Sequence, residues 1–155
     1  MSRATRRRTR GLPDPNFGIL VREPYLAIST ELHERLSAAG FDDLRPAHLV
    51  IFQHVAPEGT RITTLAERAQ LTKPSIKYLV DALEARRYVE RVPDPTDRRA
   101  QLVRFTERGW QQVHTALEIL GDIEDDWARR LGRRKFGELR RSLVALNELV
   151  RQQDA

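Results

Sequence analysis

Both ends of the chain carry apolar residues at every third or fourth position, which is the spacing of one face of an α-helix. The first such stretch runs from Asn16, which can cap a helix, to Gly40, which can end one. Pro24 interrupts its apolar stripe. We therefore expect this helix either to kink at Pro24 or to begin there.

The C-terminal third predicts two more helices, because the same spacing resumes at Thr106 and is broken once, at Gly132. Stripes this regular are typical of helices that pack against helices. The three end helices carry more apolar surface than one small central lobe can cover, so we expect self-association; packing within one subunit is the alternative. The apolar positions of the last two helices are Trp110, Val113, Leu117, Leu120, Trp127, Leu131, Phe136, Leu139, Leu143, Leu146 and Val150.

The middle of the chain has shorter periodic segments. Pro46 suits the first turn of a second helix, which should run to about Val55. A turn follows, and Ile62 is expected to start a short strand. The next segment predicts a short third helix, in which Thr64 and Glu67 have the spacing of a capping box.

The segment LTKPSIKYLVDALEARRY predicts a fourth helix. Thr72 is a suitable N-cap, and Pro74 lies in the first turn, where its missing N–H does not matter. One face is polar, with lysines near the N-terminal end, and the other is apolar. The expected buried face consists of Leu71, Ile76, Leu79, Val80 and Leu83.

A β-hairpin is predicted after the fourth helix. Two short runs of alternating residues, Tyr88 to Val92 and Gln101 to Phe105, flank a tip rich in Pro, Asp and Arg. This tip holds Asp97 and the adjacent pair Arg98 and Arg99. A hairpin with two arginines at its end suggests a surface that meets a polyanion.

The order of these elements, with a hairpin after the second, third and fourth helices, is that of a winged helix-turn-helix. We therefore predict a mainly α protein with a small β-hairpin wing. The DNA-binding domain should span residues 45–106. Residues 16–44 and 107–155 should form a helical dimerisation region, and residues 1–15 a disordered basic arm.

The fourth helix is the predicted recognition helix, because short polar and basic side chains at its N-terminal end can reach bases and phosphates. Lys73 and Lys77 are expected to neutralise phosphates. The hydroxyl groups and Lys77 can also hydrogen-bond to base edges, and Pro74 or Tyr78 can contact a thymine methyl group. The residues of this helix predicted to bind DNA are Thr72, Lys73, Pro74, Ser75, Lys77 and Tyr78.

The wing arginines are expected to reach the neighbouring minor groove, where A·T-rich DNA concentrates negative potential. One of Arg98 and Arg99 should insert there. The other can be held by a bidentate bond to the Asp97 carboxylate, which would stiffen the tip. The spacing does not fix which arginine has which role. A solvated loop with a local salt bridge is the alternative interpretation.

The net charge of +5 is localised, because residues 1–10 contain five of the 27 basic residues and none of the 22 acidic ones. The rest of the chain is therefore neutral, and the arm is expected to contact a polyanion, although it could be a solubilising tail.

With no cysteine, disulfides, thiolate zinc sites and thiol-based sensing are excluded. No apolar run is long enough to span a membrane and no secretory signal is seen, so we expect a cytoplasmic protein.

Residues 62–109 resemble the core of the MarR-type transcriptional regulators. The segments that carry the resemblance are TLAERAQLTKPSI, LVDALEARRYVER, DPTDRRA and FTERG. One departure is Arg87, where the family usually has a glycine before the aromatic residue of the first wing strand. An arginine there leaves the end of the fourth helix uncertain and adds a possible phosphate contact.

The resemblance implies a homodimer whose first and last helices interlock, bound to double-stranded DNA. Its two recognition helices would enter successive major grooves of a pseudo-palindromic operator, with half-sites about 10 bp apart. Members of this family mostly repress transcription. They commonly release DNA when a small aromatic or phenolic compound binds between the dimerisation helices and the winged lobe.

A pocket for such an effector would combine apolar walls with a few polar groups. Ordinary core packing is an equally good interpretation of the same side chains. The four histidines are scattered without ligand spacing, so we predict no metal and no cofactor. The candidate pocket residues are Tyr25, Ser29, His33, His48, Phe52, Trp110 and His114.

Two other function classes fit the sequence less well. An enzyme is not expected, because the sequence shows no phosphate loop, no paired carboxylates in an apolar setting and no nucleophile with a base. A winged-helix protein-interaction module without sequence-specific DNA binding is the alternative function. The positive wing tip and the lysines of the fourth helix favour a DNA-binding regulator over that alternative.

Overall fold

The structure is a computed structural model that describes residues 15–153. The arm predicted for residues 1–15 lies outside the described residues, except for Pro15. A single 3-10 turn, Pro46–His48, precedes the second α-helix. The elements are α1 (Phe17–Ala38), α2 (Leu49–His54), β1 (Thr60–Arg61), α3 (Ile62–Ala69), α4 (Lys73–Ala85), β2 (Val89–Asp94), β3 (Asp97–Phe105), α5 (Glu107–Leu131) and α6 (Arg133–Gln153).

Helix α1 is continuous through Pro24, so of the two predicted alternatives it does not begin there. It begins where the Asn16 side chain accepts a hydrogen bond from the Ile19 amide at 3.1 Å, as the sequence indicated. It ends at Ala38, and Gly40 follows with a φ of 100°, a conformation that favours glycine.

The three strands form one antiparallel sheet in the order β1-β3-β2. Two local predictions at its edge are wrong. The short strand is Thr60–Arg61, one step before Ile62, which instead opens α3. Thr64 therefore lies inside α3 and cannot form the predicted capping box; the N-cap of α3 is Arg61, which makes no side-chain capping bond. Pairing of Thr60 with Val103 and of Arg61 with Leu102 fixes the strand where it is.

The hairpin is longer than predicted. Strands β2 and β3 pair from Val89 with Phe105 out to Asp94 with Asp97, with an irregularity at Pro93 and Asp94. Only Pro95 and Thr96 remain in the turn. The two wing arginines therefore lie at the start of β3, immediately after the turn, and not at its tip.

The hydrophobic core joins the end of α1 to the winged lobe, which we define as α2 to β3, Leu49 to Phe105. On α4, four of the five apolar side chains predicted to be inside are buried. The exception is Leu71, which is 42% exposed because it precedes the N-cap of the helix. The largest fully buried side chains are Tyr88, Leu36, Ile51, Leu65, Ile76, Leu83, Ile123, Gln112, Val80, Val89 and Val103.

The terminal helices leave much apolar surface uncovered in one subunit. Helix α5 turns its buried side, with Ile119 and Ile123, toward the rest of the subunit. The stripe predicted on α5 is half-buried or exposed in one subunit, and its members Trp110, Val113 and Trp127 pack against the core. No side chain of residues 133–152 is fully buried. Exposed apolar side chains of the terminal helices are Phe17, Ile19, Leu20, Val21, Tyr25, Leu26, Leu117, Leu131, Leu139, Val144, Leu149 and Val150.

None of the helices formed by residues 15–153 has the length and hydropathy of a membrane-spanning segment.

Candidate nucleic-acid interface

The N-terminal end of α4 is open to solvent. The Thr72 hydroxyl accepts a hydrogen bond from the Ser75 amide at 3.2 Å and lies 2.8 Å from the Ser75 hydroxyl. Gln70, with a φ of 52°, turns the chain sharply between α3 and α4. Pro74 has no N–H group and the Ile76 amide donates to the Thr72 carbonyl, so the Lys73 amide is the one left in this turn for an outside acceptor such as a phosphate. All six recognition-helix residues predicted to bind DNA are exposed: Thr72, Lys73, Pro74, Ser75, Lys77 and Tyr78.

The opposite face of α4 fixes this orientation. Ile76, Val80 and Leu83 are inaccessible to solvent, and Leu79 is nearly so. These side chains repeat at helical spacing, so the polar face must point away from the core. Tyr78 lies on that outer face and is 68% exposed, which is unusual for an aromatic side chain without a binding partner.

Arg91 connects the recognition helix to the base of the wing. Its Nη2 atom lies 2.5 Å from the Asp81 carboxylate, and its Nη1 atom is hydrogen-bonded to Glu84. The Arg91 amide also donates to Glu84, at 3.2 Å. Lys77 approaches the same Asp81 from the neighbouring turn, at 3.5 Å. The hydrogen bond from Arg91 is the main reason why the pKa of Asp81 lies below its usual value.

The two wing arginines differ from the arginines around them. Arg98 and Arg99 are exposed and form no ion pair with a carboxylate among residues 15–153. By contrast, Arg61, Arg91 and Arg104 of the same lobe each bind one or two acids. The unpaired guanidinium groups can therefore meet an anionic partner without first breaking a salt bridge.

The structure gives Asp97 a different role from the predicted one. Its Oδ1 atom accepts a hydrogen bond from the Arg99 amide at 3.0 Å, so it fixes the main chain of Arg99 and not the guanidinium group of Arg98 or Arg99. Its Oδ2 atom lies 3.9 Å from Arg61. The reason is local, because an aspartate at the start of a strand readily bonds to the amide two residues on.

The acid that organises the turn is Asp94, which the sequence interpretation missed. Its side chain is only 5% exposed, and its Oδ2 atom lies 2.7 Å from Nε and 2.5 Å from Nη2 of Arg61. Its Oδ1 atom accepts hydrogen bonds from the hydroxyl and the amide of Thr96, at 2.7 and 2.8 Å. These bonds from Thr96, followed by that from Arg61, lower the pKa of Asp94 to about 2.

A second polar network joins the wing to α5. The Tyr88 hydroxyl donates to Asp43 at 2.6 Å, and Arg108 donates to both groups at 3.0 Å. The Arg108 guanidinium also lies over the Tyr88 ring, 4.4 Å from its centre. Burial, and then the hydrogen bond to Asp43, raise the pKa of Tyr88. This network holds the base of the wing against the first turn of α5.

The predicted effector residues fall into two groups. Phe52, Trp110 and His114 belong to an aromatic row: Phe52 stacks on Phe105 at 5.5 Å, Phe105 meets Trp110 at 5.1 Å, and His114 stacks on Trp110 at 6.0 Å. The row lies at the junction of α2, β3 and α5.

The other four candidates lie apart from this row. Tyr25 is 59% exposed, and its carbonyl accepts a hydrogen bond from the Ser29 hydroxyl. His33 lies 2.9 Å from the Leu44 carbonyl. Buried His48 accepts a hydrogen bond from the Arg45 amide through Nδ1. The two histidines therefore already have structural partners. Within residues 15–153, no three His, Asp or Glu side chains are grouped as metal ligands.

Two short helices that brace an exposed helix, followed by a hairpin with unpaired arginines, define a winged helix-turn-helix protein of the DNA-binding type. A family model described as the MarR family matches residues 42–100, which span α2 to the start of β3. Over this winged region the chain is similar to the MarR family of transcriptional regulators. This confirms both the resemblance and the fold class expected from the sequence.

Known proteins agree with this assignment. The chain is 26% identical over 113 residues to the HTH-type transcriptional regulator MhqR of Bacillus subtilis, which covers 73% of this chain and 72% of MhqR. The transcriptional regulator Tm0710 of Thermotoga maritima superposes with a TM-score of 0.62 at 25% identity, over 88% of this chain and 95% of Tm0710.

Two structures of CouR share the fold. CouR from Rhodococcus jostii RHA1 bound to p-coumaroyl-CoA has a TM-score of 0.66 at 23% identity, over 84% of this chain and 91% of CouR. The transcriptional repressor CouR bound to a 23-mer DNA duplex has a TM-score of 0.64 at 21% identity, over 85% of this chain and 92% of that one.

Proposed function

We propose that this chain is a ligand-responsive repressor that binds a pseudo-palindromic operator as a homodimer. Helix α4 would enter the major groove and the wing the adjacent minor groove. The arrangement of charge is the observation that carries the proposal. Lys73, Arg98 and Arg99 are exposed without a carboxylate partner among residues 15–153, whereas the other arginines of the hairpin are paired.

The recognition residues would have different tasks. Lys73 and the open N-terminus of α4 suit phosphate contacts, which position the helix without reading sequence. Ser75 and Tyr78 project from the same exposed face and suit base edges and thymine methyl groups. Lys77 shares Asp81 with Arg91, so it would reach a phosphate by leaving a weak, exposed ion pair.

The homodimer is supported by the uncovered apolar surface of the terminal helices. A groove of about 680 Å³ lies between α1, the end of α5 and α6, and is lined by Pro24, Trp127, Leu131, Phe136 and Leu139 among others. Exposed apolar patches of this kind mark interfaces. A second copy of the same helices would cover the groove and place two recognition helices on one side of the dimer.

The effector is proposed to be a small aromatic compound. CouR, which shares the fold, was solved with p-coumaroyl-CoA, a ligand with an aromatic group. In this chain the row from Phe52 to His114 offers aromatic side chains where the winged lobe meets α5. A ligand bound there could change operator affinity only by favouring one arrangement of the two lobes over the other. As a regulator of transcription, the protein would act in the cytoplasm.

Fluorescence anisotropy with the DNA upstream of the protein's own gene tests the proposal. The wild type should bind it in the presence of excess unrelated DNA, with affinity that falls steeply with salt. Arg98→Ala and Arg99→Ala should each weaken binding at least about fivefold. Arg141→Ala, the same change of charge on α6, is the control and should have little effect. If all three variants lost the same affinity, only non-specific attraction between the protein and DNA would remain. That result would support the alternative function, a protein-interaction module without sequence-specific DNA binding.

A further inference from the structure

The underside of the wing turn has a feature that direct DNA contact does not explain. Arg61 of β1 reaches across the sheet to the two acids that flank the turn, Asp94 and Asp97. Both Nε and Nη2 lie within hydrogen-bonding distance of the nearly buried Asp94. Arg61 also immediately precedes α3, the helix that braces the recognition helix. One side chain thus connects the bracing helix to the turn that carries the wing arginines.

We propose that Arg61 is a positioning residue for DNA binding, which fixes the wing turn so that Arg98 and Arg99 are preset for the minor groove. The inference deepens the proposed function and rests on it. The Asp94 carboxylate is held on both sides. Arg61 binds its Oδ2 atom, and Thr96 donates two hydrogen bonds to its Oδ1 atom.

Within residues 15–153 the wing turn has few other supports. Pro95 and Thr96 are exposed, and the strand register is irregular next to the turn, between Pro93 and Asp94. Strand β1 is only two residues long and pairs with β3 at Leu102 and Val103. These residues follow the wing arginines in the chain and lie nearer the base of the hairpin. Between Leu102 and the turn, β3 pairs with β2 alone. The Arg61 side chain connects this part of the hairpin to β1.

A fixed turn favours DNA binding. A flexible hairpin must lose conformational freedom when its arginines enter a groove, and that loss weakens binding. Asp97 fixes the Arg99 amide, and Asp94 fixes the Thr96 amide, so the main chain around both arginines is set before DNA arrives. Without Arg61, the Asp94 carboxylate would be left buried without its cationic partner, and the turn would rearrange to solvate it.

The same hairpin contains a matched control. Arg104 and Glu90 form a cross-strand ion pair at 2.8 Å, nearer the base of the wing and on exposed side chains. Arg104→Gln removes the same charge from the same sheet without touching the turn. If charge alone matters, Arg61→Gln and Arg104→Gln should have equal effects on DNA affinity.

Operator affinity should separate the two variants. Arg61→Gln should weaken binding to the upstream DNA about tenfold, and Arg104→Gln less than about twofold. The salt dependence of Arg61→Gln should match the wild type, because no phosphate contact is lost; a lost contact would lower the slope by about 0.9. The double variant Arg61→Gln/Arg99→Ala should lose less binding free energy than the two single variants together, because both changes act through Arg99.

A second measurement does not depend on DNA. Hydrogen exchange of the Thr96 amide, followed by NMR in the free protein, should be slow in the wild type and in Arg104→Gln. It should be at least about tenfold faster in Arg61→Gln and in Asp94→Asn, because both remove the ion pair that holds the acceptor of this amide. Arg61→Lys keeps the charge but has a single nitrogen, so it should recover only part of the protection.

These measurements keep failure of the inference distinct from failure of the proposed function. A wild type that ignores the upstream DNA contradicts the function, while the exchange rates still judge the role of Arg61. Exchange that is unchanged in Arg61→Gln overturns the inference whatever the DNA result. Affinity loss in Arg61→Gln with a shallower salt slope, additive with Arg99→Ala, would also overturn it, since Arg61 would then be a phosphate contact itself.

Discussion

A methyl group built on Gly109 would lie 2.1 Å from the main-chain oxygen of Tyr88. The same oxygen accepts a hydrogen bond from the Thr106 amide at 3.1 Å, and the Thr106 hydroxyl accepts one from the Gly109 amide at 3.2 Å. Helix α5 therefore begins in direct contact with the main chain at the base of the wing. No side chain larger than that of glycine fits between them.

Gly109→Ala should destabilise the protein by at least about 2 kcal/mol, because either the main chain of Tyr88 or the start of α5 must move. Gly121 lies on the same helix, and a Cβ atom built on it meets no other atom within 4 Å. Gly121→Ala is therefore the control and should be neutral or slightly stabilising. Urea unfolding followed by circular dichroism measures both. Similar midpoints for the two variants would show that the contact at Gly109 is not tight in solution.

Arg87→Gly should stabilise the protein by about 1 kcal/mol. Arg87 has a φ of 62°, in the left-handed region, which is costly for a residue with a side chain. Its amide and that of Tyr88 donate to the Glu84 and Leu83 carbonyls at 2.9 Å and end α4, so the conformation is required. Arg87→Ala retains the Cβ atom and should gain much less. The midpoints of urea unfolding distinguish the two, and an equal gain would argue against backbone strain.

The stability of the protein should fall as the pH drops below 6.5, and His48 should account for part of that fall. Burial, followed by the nearby Arg86 and Arg45, lowers the pKa of His48 from its usual 6.5, while Asp43 opposes the shift. The folded state therefore binds a proton less readily than the unfolded state, and its stability is complete only above the unfolded pKa.

His48→Asn keeps an acceptor for the Arg45 amide and removes the titration. Between pH of about 5 and 6.5, its free energy of unfolding should fall less steeply than that of the wild type. The pKa of His54 is also lowered, chiefly by burial, so some slope should remain. Urea unfolding at several pH values checks this, and parallel curves for the two proteins would rule out the role of His48.

Leu143→Asp should separate the proposed homodimer into monomers or unfold it. Leu143 is half-buried on α6, a helix without a fully buried side chain among residues 133–152, and a carboxylate in the interface would be left unpaired. Ser142→Asp places the same charge one residue earlier, on an exposed position, and should leave the dimer intact. Light scattering after size exclusion gives the mass. A Leu143→Asp protein with unchanged mass would place the interface elsewhere.

Long periodic elements were predictable from the sequence. The starts of α1, α4 and α5 were each marked by a residue whose side chain caps the helix: Asn16, Thr72 and Thr106. Gly132 separated α5 from α6 as expected. In these places local side-chain chemistry and apolar periodicity agree, so neither depends on distant contacts.

The errors arose where tertiary contacts override local signals. Thr64 and Glu67 have capping-box spacing, but pairing of β1 with β3 makes the helix begin earlier, at Ile62. The same pairing places the short strand at Thr60–Arg61, before Ile62, where the sequence predicted it to start.

The polar contacts of the wing were also hidden. DPTDRR contains two aspartates, and nothing in the spacing shows that Asp94 is the buried one. The partner of Asp94 is Arg61, 33 positions earlier, which comes close only when the sheet forms. The Asp97 carboxylate was expected to hold a wing guanidinium group, but it accepts a hydrogen bond from the Arg99 amide two residues on. The candidate DNA-binding positions on α4 needed only the N-cap signal and helical spacing, because they lie in the first turn or away from the buried stripe, and all of them are exposed.

The central claim is that two recognition helices and two wings of a homodimer contact one face of an operator. Hydroxyl-radical footprinting of the full chain on its upstream DNA tests it most directly. The account predicts two protected segments about 10 bp apart, flanked by minor-groove protection that disappears in a variant with both Arg98→Ala and Arg99→Ala. A single protected segment, or flanking protection that survives loss of both arginines, would contradict the account.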